Sequence, residues 1–168
     1  KNKDKIKNAQ KIYETLKTYY SDIKNNLFKV VKKSKLNEKQ TAQLYILSND
    51  MMQDVLQSLE VIIIACDNHV KNSHKPLTEV QAESLKKIEV ELLEYLHNIS
   101  EYLESHEFGT LNDIKNIKRS LFDNIESTLS RQVEGVYKNA YGFKNTDLMM
   151  SLLLETKDLI AISVRFSK

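Results

Sequence analysis

Glu94 and His97 stand three residues apart in Glu94-Tyr95-Leu96-His97, the spacing at which a helix turns a carboxylate and an imidazole toward one metal ion. A dinuclear carboxylate bundle needs that pattern on two helices and a lone Glu on each of two more. Here it occurs once, beside rather than on the Leu92, Leu96, Ile99 stripe, so no ferritin-like centre is expected. His69 and His74 are five apart, a poor spacing for ligands on one helical face, and Asp67, Asn68, Asn72 and Ser73 around them read as a polar helix end. Asp50 and Asp54 are one turn apart. Two carboxylates on a buried face either bind a cation or cost stability, but Asn49, Gln53 and Gln57 run down the same side, and a solvent-facing polar strip accounts for all of them. Asp50, Asp54, Glu155 and Asp158 are the only candidate metal ligands, and neither metal nor cofactor is assigned.

Nucleophilic chemistry finds less support. There is no Gly-x-Ser-x-Gly elbow, and three glycines are too few for a loop that cradles phosphate. The single cysteine, Cys66, lies on the most apolar turn of the chain and reads as a small core residue; alone it excludes a disulfide framework and a cysteine-based zinc site. No enzyme activity is expected.

The elements that position these residues are helices. Three Gly and one Pro in 168 residues leave little punctuation for hairpins, and apolar residues recur at steps of three and four throughout. The chain is organised around Leu44–Val70. There Leu44, Met51, Val55, Leu59, Ile62, Cys66 and Val70 form one stripe, and Met52, Leu56 and Ile63 a second about 100° away. Such a helix needs neighbours on both faces and reads as buried; Asp54, Glu60 and Asp67 keep its apolar window well short of the roughly 20 residues that span a bilayer.

A first helix over 4–34 carries the stripe Ile6, Ala9, Ile12, Leu16, Tyr19, Ile23, Leu27 and Val30. Its lysines interleave with Tyr13, Tyr19 and Tyr20, a pattern that single-stranded nucleic acid can stack on; with no Arg before Arg119, core packing of these rings is the better reading and no nucleic-acid partner is expected. Asn37 with Gln40 caps the central helix over 38–73, which Lys75-Pro76 ends. Thr78 with Gln81 opens a third helix over 78–107 with the stripe Leu85, Ile88, Leu92, Leu96, Ile99 and Leu103, and Leu77 staples onto Ala82. Gly109 closes it and Thr110 caps a fourth over 110–140, whose stripe runs from Leu111 through Ile114, Ile117, Leu121, Ile125 and Leu129 to Val133, Val136 and Tyr137 and whose interior Gly135 weakens the last turns. Asn145 or Thr146 caps a fifth over 146–167, with Leu148, Leu152, Leu159, Ile162 and Phe166. The fold class is therefore all-α, an antiparallel bundle of about five long helices in one domain.

Charge is unevenly spread. Net charge is +2, yet residues 1–40 hold 12 lysines against four acids while the third helix is rich in Glu. A basic end of this kind faces anionic headgroups, an acidic partner, or simply solvent opposite the acidic helix. Setting Asp50 against Asp158 pairs Leu44 with Leu152, Ile46 with Leu154 and Ser48 with Thr156, a faint repeat that makes the central and fifth helices equivalent closing helices of two three-helix units, the first lacking its opening helix.

From His69 to Ile88, with Asn72, Pro76 and Leu77 as the local marker, then through the long acidic helix to Ser151–Phe166, the chain resembles the PhoU-like cytoplasmic C-terminal region of bacterial sodium/phosphate cotransporters. The resemblance covers most of the chain from about Tyr20. It implies two three-helix repeats, an upstream membrane transport domain as partner, a possible homodimer, and a place on the cytoplasmic face of the bacterial inner membrane. It implies a non-catalytic regulatory or oligomerisation role in phosphate transport, the alternatives being a free-standing helical interaction or signalling module and a metal-binding regulator. Stand-alone PhoU proteins carry Glu-x-x-x-Asp metal carboxylates. With Asp50 and Asp158 as the preceding Asp, those positions hold Met52, Leu56, Ile160 and Val164; shifted by two, Asp50 and Asp54 fall in the motif. The metal site is not carried over.

Overall fold

The computed structural model describes residues 2–33, 39–105 and 111–163. Among the described residues there are five helices and no strand: α1 (Asn2–Lys33), α2 (Lys39–Lys71), α3 (Glu79–Ser105), α4 (Leu111–Tyr137) and α5 (Phe143–Ser163). The chain is an all-α bundle. Its main contacts run α1 on α2, α2 on α5, α5 on α4 and α4 on α3. The α3 helix returns to α5 through Tyr95, whose hydroxyl meets Ser163 Oγ at 2.9 Å in the interior. The result is a closed unit, α3–α4–α5, with the hairpin α1–α2 laid along α5.

The core belongs to the closed unit. Ile88 and Tyr95 of α3, Ile114, Leu121 and Ile125 of α4, and Met149, Leu153 and Ile160 of α5 form one buried cluster, with Leu85, Leu92, Ile99, Tyr102, Ile117, Phe122 and Leu129 packed against it. Each fully buried large side chain contributes about 1.5–3 kcal/mol relative to exposure. Buried hydroxyls are satisfied locally: Thr128 donates to the Asn124 carbonyl and Thr156 to the Leu152 carbonyl, each at 2.7 Å. The Thr78 capping box forms as expected, with Thr78 N–H donating to Gln81 Oε1 at 3.2 Å and Gln81 N–H donating to Thr78 Oγ1 at 3.3 Å. Gln81 is fully buried, and its Nε2 donates to Gln132 Oε1 of α4 at 2.8 Å, so the cap also registers α3 on α4.

The expected core faces are corrected at several points. Within α2, Leu44 is 65% exposed and Tyr45, Ile46, Leu47, Val61 and Ile64 are exposed too; Ser58 is the buried residue of that helix among those described. The helix has neighbours on two sides, α1 and α5, but its main stripe lies between them and is covered only in part. Along α1, Tyr13, Tyr20 and Leu27 are buried, whereas Ile12, Leu16, Tyr19 and Ile23 are exposed. Two stripes share this helix, and the tyrosines, apolar in body and polar at the tip, face α2, where Tyr20 donates to Gln53 Oε1 at 3.1 Å. In α3 the interior position is Tyr95, with no exposed area, rather than Leu96. Val133, Val136 and Tyr137 of α4 are exposed, and Thr128 and Gln132 take the interior. In α5 the inward residues are Met149, Leu153, Thr156 and Ile160, a position on from Leu148, Leu152 and Leu159, while Ile162 is buried as expected.

Helix ends differ for identifiable reasons. The α2 helix stops at Lys71, before Pro76 is reached, because Ser73 adopts a left-handed φ of 52°. Ser73 N–H donates to the Val70 carbonyl and His74 N–H to the His69 carbonyl, both at 3.2 Å, the paired bonds of a Schellman turn. The α4 helix ends at Tyr137 in the same way, with Asn139 at φ 53° and Ala140 N–H bonded to the Gly135 carbonyl at 2.8 Å. Gly135 is not merely a weak point: it is buried, and a methyl there would overlap the Tyr141 ring of the returning turn. The α5 helix starts at Phe143, so Asn145 and Thr146 lie within its first turn and do not cap it; Asn145 Nδ2 instead donates to the Pro76 carbonyl at 2.8 Å. Asn37, Gly109, Thr110, Val164 and Phe166 lie outside the described residues.

Burial pushes the Tyr95 phenol up from the ordinary tyrosine range, and the Ser163 hydroxyl draws it part of the way back. A raised phenol holds its proton more tightly folded than unfolded, so this contribution is complete below about pH 10 and is lost as pH rises through the folded value. Tyr95→Phe is expected to cost about 0.5–1.5 kcal/mol at neutral pH by urea unfolding. It is also expected to lose less stability than the parent between neutral pH and pH above about 10.

Candidate functional site

Three surface features collect the polar and apolar groups that the sequence singles out. The first is a cleft of about 310 Å³ between α2 and α5, lined by Asp54, Gln57, Ser58, Val61, Glu155, Asp158, Ala161 and Ile162. It unites three of the four carboxylate candidates; Asp50 is exposed and does not line it. Among the described residues no group of three His, Cys, Asp or Glu side chains is close enough to hold a metal ion. The polar strip on α2 also divides: Gln53 accepts from Tyr20 on α1, while Asp54 and Gln57 turn toward α5. Of the expected solvent-facing strip Asp50, Gln53 and Gln57 are exposed, while Asn49 and Asp54 are half-buried. Glu94 and His97 are exposed, and His97 Nε2 lies 3.4 Å from Glu101, one turn on.

The second feature is a cleft of about 550 Å³ where the end of α2 meets the start of α5. His69 and His74 both line it, beside Asn68, Asn72, Lys144 and Asp147. Their ring centroids are 5.1 Å apart and nearly perpendicular, and His69 Nε2 lies 3.0 Å from the Lys75 carbonyl. A spacing of five separates two residues on a continuing helix; the left-handed Ser73 reverses the chain and brings the second ring back over the first. The sequence signal for this was the polar cluster Asn68, Asn72 and Ser73 before Pro76, read only as a polar helix end.

The third feature is apolar. A hollow of about 310 Å³ lies between Leu16, Tyr19 and Tyr20 of α1 and Met52, Val55, Leu56 and Leu59 of α2. A second, of about 500 Å³, shares Tyr19 and adds Ile23, Leu27 and Tyr45, with Asp22 and Asn26 at its edge. A separate hollow of about 430 Å³ is lined by Lys5 and Ile6 of α1, Cys66, His69 and Val70 of α2, and Pro76, Leu77, Ala82 and Leu148. Burial pushes the Cys66 thiol up, so it stays protonated and slow to react at neutral pH. Leu77 packs against the core cluster and shares this last hollow with Ala82.

Compared with known proteins, the chain matches no family model, no curated protein and no solved structure. Among the described residues no helix is long and apolar enough to cross a membrane.

The two tyrosine neighbours on α1 differ in burial. Tyr19, 63% exposed, is expected to tolerate Ala with a stability change within about 0.5 kcal/mol. Tyr20, 9% exposed and bonded to Gln53, is expected to cost about 2–5 kcal/mol on the same substitution, measured by urea unfolding.

Proposed function

We propose that this chain is a PhoU-like, non-catalytic helical domain that regulates a sodium-dependent phosphate transporter or sets its oligomeric state from the cytoplasmic face of the membrane. The observation that carries the reading is an internal equivalence. The offset that sets Asp50 against Asp158 also lays α1 over α4: the buried α1 residues Tyr13, Tyr20 and Leu27 fall on Leu121, Thr128 and Gly135, which are buried in α4, while the buried Ile125 and Gln132 fall on the exposed Lys17 and the half-buried Lys24. It lays Tyr45, Met52 and Val55 of α2 on Leu153, Ile160 and Ser163, the α5 residues that face the interior of the closed unit. The two α2–α5 clefts bring residues 54–61 of α2 beside 155–162 of α5 at one end and residues 61–72 beside 144–151 at the other, an antiparallel seam. This supports two repeats, one of three helices and one of two, in the order the resemblance implies.

The mechanism is docking. Nine lysines against three acids on α1 favour an anionic surface or an acidic neighbour, and the domain biases its transporter by the difference in contact free energy between two transporter states. The native parent polypeptide tests this. Sodium-driven phosphate uptake into membrane vesicles is expected to persist, with altered rate or altered oligomer size, when residues 1–168 are deleted. A parent with no membrane-spanning part, or uptake and assembly unchanged by the deletion, contradicts the reading.

A further inference from the structure

The turn that ends α2 brings two imidazoles together through its own hydrogen bonds. With His74 N–H on the His69 carbonyl and Ser73 N–H on the Val70 carbonyl, His69 and His74 are the residues whose side chains meet across a Schellman turn. Apolar groups ordinarily make that contact; here both positions hold histidine. Both rings are half-buried in the wall of the cleft of about 550 Å³, where water and small ions reach them.

The pair is arranged as metal ligands are. A carbonyl only accepts, so His69 Nε2 carries the proton in its 3.0 Å bond to Lys75, and Nδ1 of the neutral ring keeps its lone pair. A backbone carbonyl on the other ring nitrogen is a usual partner of a metal-bound histidine. Separation agrees as well. An imidazole nitrogen about 2.0–2.1 Å from zinc sets its ring centre about 3.2 Å from the ion, so two rings at the tetrahedral angle have centres about 5.2 Å apart. The His69 and His74 centroids are 5.1 Å apart. The broad χ2 of histidine turns a ring about an axis through its own centre, so His74 can swing a lone pair toward the ion without changing this separation. The pair also lies at the C-terminal end of α2, where the helix dipole favours a cation. Of the nearby lysines, Lys71 is paired with Asp67, and Lys144 lines the cleft together with Asp147.

We propose that His69 and His74 form a two-imidazole site for a late first-row divalent metal ion, Zn²⁺ being the ion this geometry fits. Among the described residues no third His, Cys, Asp or Glu completes the set, so water fills the remaining positions on the cleft side, which Asn68 and Asn72 line. The bound ion clamps the turn between α2 and α3. The site is separate from the cleft of Asp54, Glu155 and Asp158 and does not depend on the transporter reading.

Titration calorimetry of the whole chain, free of any histidine tag, with ZnCl₂ tests the site. Saturation at one ion per chain is expected, and at a free Zn²⁺ concentration about a hundred times Kd the unfolding equilibrium constant should fall about a hundredfold. His69→Gln and His74→Gln are each expected to weaken binding by more than about tenfold, whereas His97→Gln and Asp54→Asn leave it unchanged. His74 lies beyond the helix end and is tied to the turn through its backbone, so His74→Gln decides the matter even if His69→Gln unfolds the chain. X-ray absorption of the zinc-loaded chain is expected to show two imidazole nitrogens at about 2.0–2.1 Å with oxygen in the rest of the shell. The proposal is overturned by a titration without saturation, by binding that His74→Gln leaves intact, by binding that Asp54→Asn or His97→Gln removes, or by a sulfur ligand, which would place the ion on Cys66.

Discussion

The rest of the structure depends on α3 lying in the groove between α4 and α5. Tyr95 is the centre of that contact: a large ring with no exposed area, its hydroxyl bonded to Ser163, surrounded by Leu121, Ile125, Met149, Leu153 and Ile160 within one core cluster. Removing so large a side chain from a packed interior costs about 3–5 kcal/mol, a sizeable part of the stability of a domain this size. Gln81 fixes the register of the same contact, because one amide side chain both completes the helix cap and donates across to Gln132. A buried amide left unpaired there would cost about 1–3 kcal/mol, so α3 is held along its axis as well as against its neighbours.

Among the described residues no third helix packs on the hairpin α1–α2 as α3 packs on α4 and α5. Contact with α5 covers one side of α2, and α1 covers another, so the apolar stripe between them is half-buried along the apolar hollows. The physical consequence is an uneven molecule, with a dense three-helix core at one side and a shallow two-helix layer at the other. The α1–α2 interface uses amphipathic groups suited to a partly wet seam: Tyr13 and Tyr20 with lysine Nζ atoms over their rings, at 5.6 Å for Lys17 and 5.8 Å for Lys24. Exposed cation–π contacts of this kind contribute about 0.5–1 kcal/mol each.

Much of this was legible in the sequence, and the failures have particular causes. Five helices and the Thr78–Gln81 capping box follow from periodicity and residue type alone. Which face of each helix is buried did not follow as well, because α1 and α2 each carry apolar residues over more than half of their circumference, and periodicity cannot rank two adjacent stripes. Tyr95 was passed over for Leu96 since a leucine scores as the better core residue; only tertiary context shows that the phenol has Ser163 to bond. Pro76 was given the role that Ser73 performs, because a left-handed residue other than Gly leaves almost no sequence mark. That same turn pairs His69 with His74, and it hid the histidine cleft from any reading based on helical spacing. Asp50 and Asp54 were judged as one strip on α2, whereas Asp54 lines a cleft with Glu155 and Asp158 that needs α5 to exist.

The central claim is that the molecule divides into a closed three-helix unit and an open two-helix one. Native-state amide hydrogen exchange, resolved helix by helix, addresses it most directly, since opening free energies follow local packing. The account predicts that interior amides of α3, α4 and α5 exchange only through global unfolding, while those of α1 and the first half of α2 exchange through openings of lower free energy. Protection of α1 equal to that of α4, at protein concentrations low enough to exclude self-association, would contradict it.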